Sequence, residues 1–190
     1  MTEHPAAAPD PATAPGPTAT PDPGITPGTT PAPATGPVPP VRPAVAADLP
    51  RIVGLIREHA AYERADPPAP GLADRLRPLL FGAERDPGLA VLVAEDTDGE
   101  LLGYAALSTE FAFWDGARYL HLDCLYLTGA ARGRGLGAAL MAAVRDHARS
   151  LGLAEVQWQT PEWNAGAIAF YDRLGARSRP KQRYTWHPGR

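Results

Sequence analysis

The stretch from Tyr119 to Leu151 constrains the fold more than any other part of the chain. A strand-like apolar pattern runs to Thr128, and the chain then turns through Gly133, Gly135 and Gly137. A helix pattern follows, with Leu136, Leu140, Val144, Ala148 and Leu151 on one stripe. Glycine lets the backbone approach a ligand closely, because no Cβ intervenes. A helix that starts at such a turn points unpaired N–H groups and the positive end of its dipole at whatever sits there. The turn therefore predicts an anion site, most naturally for a phosphate, and hence a nucleotide-like ligand. Its spacing is neither the G-x-G-x-x-G of dinucleotide folds nor a P-loop with Gly-Lys-Ser/Thr.

The flanking sequence supplies the rest of the fold. Val41 to Val45 reads as a short strand, and Asp48 as the N-cap of a helix carrying Leu49, Ile52, Val53, Leu55 and Ile56 and ending near Tyr62. A Pro/Gly break at 66–71 precedes a shorter helix with Leu72, Leu76, Leu79 and Leu80, weakened by Pro78. Leu89 to Ala94 and Leu101 to Thr109 form strands joined at Asp96-Thr-Asp-Gly99, where Asp-Gly supplies the positive φ of a tight hairpin. Leu153 to Thr160 reads as a strand with Val156 and Trp158 on one face, and Ala165 to Leu174 as a helix closed by Gly175. Arg177 to Trp186 is expected to add a last strand or hairpin. The order predicts one mixed α/β sheet covered by helices.

Composition bounds the partners. Of 23 prolines in the 190 residues, thirteen precede residue 41, in a stretch with no Lys or Arg and almost no large apolar side chain. Such a segment cannot bury enough surface to offset chain entropy, so residues 1–40 are expected to be disordered, with one domain over 41–190. That tail lacks the basic start and apolar run of a signal peptide. No stretch approaches the roughly 20 apolar residues that span a bilayer, so no membrane partner is expected. A formal net charge of −3 gives no reason to expect nucleic acid. The one cysteine, Cys124, excludes an internal disulfide and fits a reducing cytoplasm. No Cys/His cluster has metal-ligand spacing, so no metal is expected.

Two segments together carry a family resemblance. The turn Arg132-x-x-Gly135-x-Gly137, entered from an apolar strand and opening a helix, is followed by Glu162-Trp-Asn-Ala-Gly-Ala-Ile-Ala-Phe-Tyr-Asp-Arg-Leu-Gly-Ala176. With the opening Val-Arg-Pro-Ala-x-x-x-Asp of 41–48, these resemble the Gcn5-related N-acetyltransferase (GNAT) superfamily. Ala61-Tyr-Glu63, Trp114-Asp-Gly116, Leu122-Asp123 and Glu162-Trp-Asn164 look most like its diamine/polyamine branch, the spermidine/spermine and thialysine N-acetyltransferases. Gln182 to Trp186 departs from that branch's ending, which leaves the acceptor open.

The resemblance implies the acyl-CoA N-acyltransferase fold, with a mainly antiparallel central sheet, and acetyl-CoA as co-substrate. By it, the backbone of Leu125, Tyr126 and Leu127 would pair with the pantetheine arm. The N–H groups of Arg132, Gly133, Arg134, Gly135, Leu136, Gly137 and Ala138 would hold the pyrophosphate, and Asn164 would contact the other end. A homodimer is compatible with it. Tyr171 falls where the family's general acid stands, and the Leu125 N–H where an oxyanion donor is needed. Strand alternation puts Tyr119, His121 and Asp123 on one face and Leu120, Leu122, Cys124 and Tyr126 on the other. Asp123, at a position where the polyamine branch carries glutamate, His121 or water could then take the amine's proton. Tyr62, Glu63 and Trp114 are candidate substrate contacts, with Asp115 and Asp123 completing an acidic pocket. The function expected is acetyl transfer to a primary amine of a small molecule. The alternatives are a protein or peptide N-acetyltransferase and a non-catalytic acyl-CoA-binding module.

Overall fold

The computed structural model describes residues 41–189. The tail expected to be disordered lies outside the described residues. Among the described residues, besides two short 3₁₀ turns, nine strands and α-helices follow one another: β1 (Val41–Pro43), α1 (Leu49–Tyr62), α2 (Leu72–Phe81), β2 (Leu89–Glu95), β3 (Leu101–Ala112), β4 (Ala117–Leu127), α3 (Leu136–Ser150), β5 (Val156–Trp158) and α4 (Ala165–Arg173). The five strands form one sheet in sequence order, antiparallel from β1 to β4, with β5 parallel to β4. The mixed α/β class and its mainly antiparallel sheet are those expected.

Each face of the sheet is covered by a helix that buries one apolar stripe. On one face α3 sets Leu136, Leu140, Val144 and Ala148 against Leu92, Leu107, Leu120 and Leu122. On the other, α1 sets Ile52 and Leu55 against Val93, Leu101, Tyr104 and Tyr126. Burying a side chain such as Leu or Ile contributes about 1.5–3 kcal/mol, so these two layers supply the main driving force. Short polar devices fix the ends. At the β2–β3 hairpin, Asp96 Oδ1 accepts from the Asp98 and Glu100 amides, with Gly99 at φ 83°. Gly175, at φ 80°, closes α4 in the C′ role.

Asp48 differs from the expected cap in how it acts. Its carboxylate makes no side-chain bond into α1. It accepts instead from the Val45 amide at 2.8 Å and pairs with Arg42 at 2.7 Å. Arg42 also reaches Glu95 at 2.7 Å, so one guanidinium ties β1, β2 and the start of α1 together.

Three boundaries differ from expectation. β3 and β4 run on past Thr109 and start before Tyr119, pairing Phe111 with Arg118 and Ala112 with Ala117. Gly116, at φ 60°, lets the tip turn tightly enough for that pairing. β5 holds only Val156–Trp158. Arg177 to Trp186 forms no strand. There Arg177, Arg179, Lys181 and Arg183 charge one face, Pro180 on the other lacks a donor, and Tyr184 and Trp186 stand exposed with nothing packed over them.

The most consequential departure is in β4. Ala106 pairs with Cys124 and Leu107 with Leu122, so Asp123 is an extra residue, a β-bulge. Alternation therefore breaks there. Leu120 and Leu122 face α3, as do Leu125 and Leu127, while Tyr126 and Cys124 turn to the α1 side. The expected grouping of Cys124 and Tyr126 with Leu120 and Leu122 is corrected accordingly.

The Arg42 hydrogen bonds hold the Asp48 carboxyl below its ordinary 3.8. A depressed carboxyl stabilises the fold above the unfolded value, and that contribution is lost as pH falls through the folded value. Asp48→Asn is expected to lower unfolding free energy by about 1–3 kcal/mol at neutral pH. The difference from the parent should shrink on the acid side of 3.8, as read from denaturant melts at both pH values.

Candidate active site

A cavity of about 1130 Å³ opens where β4 leaves β5. The parallel pairing stops at Leu122 and Trp158. Beyond it, the Thr128 N–H still bonds the Leu102 carbonyl on β3. Strand alternation then points the N–H and C=O of Leu125 and Leu127 away from β3, toward the open edge. The bulge sets this phase: it hands the open edge to Leu125 and Leu127 rather than to Cys124 and Tyr126.

The glycine turn closes one end of the cavity. Gly133 and Gly135 have φ of 75° and 82°, and Gly135 is the N-cap of α3. The first helical bond runs from the Ala139 N–H to the Gly135 carbonyl. The N–H groups of residues 133–138 have no hydrogen-bond acceptor among the described residues. The Arg132 N–H does: it bonds the Gly129 carbonyl at 3.3 Å. The expectation for Arg132 as a backbone donor is therefore corrected, because a 3₁₀ turn over Gly129–Ala131 uses its amide. Its side chain turns inward, Nε donating to the Leu127 carbonyl at 3.2 Å with the guanidinium 4.1 Å from the Tyr62 ring centre.

Asn164, nearly buried, caps α4 by accepting from the Ala167 N–H at 3.1 Å and takes the Tyr62 hydroxyl at 3.4 Å. Its side-chain oxygen is committed to the protein, leaving the amide nitrogen for a ligand. Two turns along α4, Tyr171 lines the cavity with its ring 5.1 Å from that of Trp158. Burial, reinforced by the Glu63 charge, pushes its phenol up to about 12. Burial thus favours the protonated phenol, which has a proton to give.

Opposite stands a polar cluster on α1, β3 and β4. Asp123 and His121 both line the cavity, and their side chains approach to 4.0 Å. His59 lies between two partners, its Nδ1 3.1 Å from the Tyr104 hydroxyl and its Nε2 3.4 Å from Glu63. Its ring stacks on Tyr126 at 5.1 Å. Cys124 is adjacent, and burial pushes its thiol up to about 12, which makes it an unreactive neutral group.

Tyr62, Glu63, His121, Asp123, Leu125, Tyr126, Leu127, the turn glycines, Ala138, Asn164 and Tyr171 thus share one cavity. Trp114 does not: it stands at the β3–β4 hairpin tip, wholly exposed beside Phe113, and is corrected as a cavity residue. Asp115 is at the same tip. Lys181 and Arg183 line the cavity although no strand forms there. His59 and Tyr104 were not singled out by the sequence reading. The signal was present in part, since His59 continues the Ile52, Leu55, Ile56 stripe of α1 and is therefore directed at the sheet.

An open strand edge beside a helix start with free amides can hold an extended ligand that carries an anion. Residues 52–176 match the acetyltransferase (GNAT) family, and the chain belongs to that family of N-acetyltransferases. It is 30% identical to a thialysine N-epsilon-acetyltransferase of Caenorhabditis elegans, over 65% of this chain and 74% of that one. It is 33% identical to an L-methionine sulfoximine/L-methionine sulfone acetyltransferase of Pseudomonas paraeruginosa, over 71% and 78% respectively. Among solved structures, one described as a transcriptional regulator from Bacillus halodurans C-125 superposes with a TM-score of 0.67 at 20% identity, covering 78% of this chain and 99% of that one; that likeness shows the fold.

The turn yields a graded prediction. A Cβ on Gly133 would meet nothing within 4 Å, whereas one on Gly137 would stand 3.2 Å from the Phe170 ring. Gly133→Ala should cost about 1–2 kcal/mol, from the left-handed backbone alone. Gly137→Val should cost up to about 3 kcal/mol by forcing α3 and α4 apart. Thermal melts of the two variants would check the order, and equal losses would contradict the packing account.

Proposed function

We propose that the protein transfers the acetyl group of acetyl-CoA to the primary amine of a small cationic molecule, by direct attack while both are bound. The observation that carries this reading is the run of N–H groups over residues 133–138 without an acceptor, beside the open edge at Leu125 and Leu127. A Cβ at Gly133 would meet nothing within 4 Å, and Gly133, Gly135 and Gly137 line the cavity, so the turn is open to a ligand there. Acetyl-CoA, when bound, supplies an acyl carbon activated by a thiol leaving group.

The chain's own groups then divide the work. The amides of residues 133–138 hold the diphosphate, and Leu127 the arm that follows it. The Leu125 N–H donates to the acyl oxygen as it gains negative charge. Tyr171 donates its phenolic proton to the departing sulfur, whose thiol pKa is about 8.5. A free alkylamine is protonated at neutral pH, with a pKa near ~10.4, so a group must accept its proton. Asp123, His121 or a water between them fills that role; the nitrogen loses a second proton as the amide forms, and that proton restores the Tyr171 phenol. Glu63 and Asp123 attract the ammonium, and Tyr62 gives it an aromatic wall. Relatives named for thialysine and for methionine sulfoximine support a small amine as acceptor.

Full-length protein, acetyl-CoA and a panel of amines, amino acids and peptides would test the reading by thiol release and product mass. Release with at least one small amine is expected; acetyl-CoA binding with no release for any acceptor would sink the proposal. Tyr171→Phe should lower kcat by about a hundredfold while donor affinity stays within a factor of about two. Equal losses in both would remove the acid role.

A further inference from the structure

The pair Tyr104 and His59 lies outside the groups assigned above, yet Tyr104, His59 and Glu63 form a continuous line from the cavity floor to its mouth. Tyr104 is 1% exposed and is one of the residues lining the cavity. Glu63 Oε1 faces His59 Nε2 and has a side chain 35% exposed. A carboxylate only accepts hydrogen bonds, so the imidazole keeps its proton on Nε2, and Nδ1 accepts from the Tyr104 hydroxyl.

We propose that Tyr104, His59 and Glu63 form the exit path for the proton released by the acceptor amine. This inference rests on the transferase reading. The amine's proton reaches the Tyr104 oxygen from its first acceptor, a cavity water or the Asp123 carboxylate, which returns to its starting state. Tyr104 gives its own hydroxyl proton to His59 Nδ1. His59 gives its Nε2 proton to Glu63, which releases it to solvent and becomes a carboxylate again. Each group gains one proton and loses one, so the path resets with every turnover.

The surroundings of His59 suit a transient carrier. Burial holds the imidazole below its usual 6.5, so it starts neutral and can accept. Glu63 on α1 and Asp123 on β4 favour the cation that forms, while Arg132 opposes it. Also on this side are Tyr104 on β3 and Cys124 and Tyr126 on β4, kept neutral because burial raises each of them, and the Arg51–Glu58 ion pair of α1, which reaches Tyr126.

The test is kcat at saturating amine as a function of pH, for the full-length protein and for Tyr104→Phe, His59→Gln and Glu63→Gln. At pH near 7 each variant should be slower by about tenfold or more. The deficit should fall to about twofold as pH approaches the amine's own pKa of ~10.4, where free amine no longer needs a carrier. Tyr104→Phe/His59→Gln should be no slower than the worse single variant. Glu63→Gln covers the case where a buried substitution unfolds; because Glu63 also attracts the ammonium, an effect confined to KM with kcat unchanged would overturn its place in the path. A deficit of the same size at every pH, or deficits that multiply in the double variant, would overturn the path. An inactive parent protein would overturn the transferase reading itself, whereas an active parent with pH-independent deficits overturns the proton path alone.

Discussion

The single extra residue in β4 organises the molecule. Without the bulge at Asp123, β4 would keep one apolar phase, Leu120 to Tyr126, against one helix. With it, the strand serves both cores: Leu120 and Leu122 lie under α3, and Tyr126 lies under α1. The same shift gives the open edge to Leu125 and Leu127. A bulge also increases local twist, which fits a pairing with β5 that ends after Trp158. The cavity is the space left between strands that part.

Around that opening, the two apolar layers hold the polar groups at fixed positions. α3 is anchored by fully buried Leu136 and Leu140, immediately after the glycine turn, so the free amides stand on a rigid base. α1 is anchored by Ile52 and Leu55 a turn or two before His59 and Glu63. The glycine turn and the His59–Glu63 cluster thus belong to helices on opposite faces of one sheet and both line the cavity at its split.

Elements whose signals are local were legible in the sequence. The stripes of α1 and α3, the Asp-Gly hairpin, the glycine turn and Gly175 each depend on residues within a few positions of one another. The bulge is not of that kind, because it is a matter of register against β3. One trace of it exists: the leucines shift phase from Leu120 and Leu122 to Leu125 and Leu127, across an unbroken apolar run 124–127. Trp114 illustrates the opposite error. A large aromatic beside a candidate pocket segment invites a binding role, but the extended β3–β4 pairing carries it to the hairpin tip. The failed last strand shows that alternation alone does not make an edge strand when every second residue is charged. In the site, the turn, Asn164 and Tyr171 follow from motifs, whereas His59 and Tyr104 are far apart in sequence and meet only through the fold.

Asn164 gives the cavity a mechanical property. Its one side-chain oxygen receives both the first turn of α4 and the Tyr62 hydroxyl from the end of α1. A molecule that displaces Tyr62 must either break that bond or tug on the helix that holds Tyr171 two turns further along.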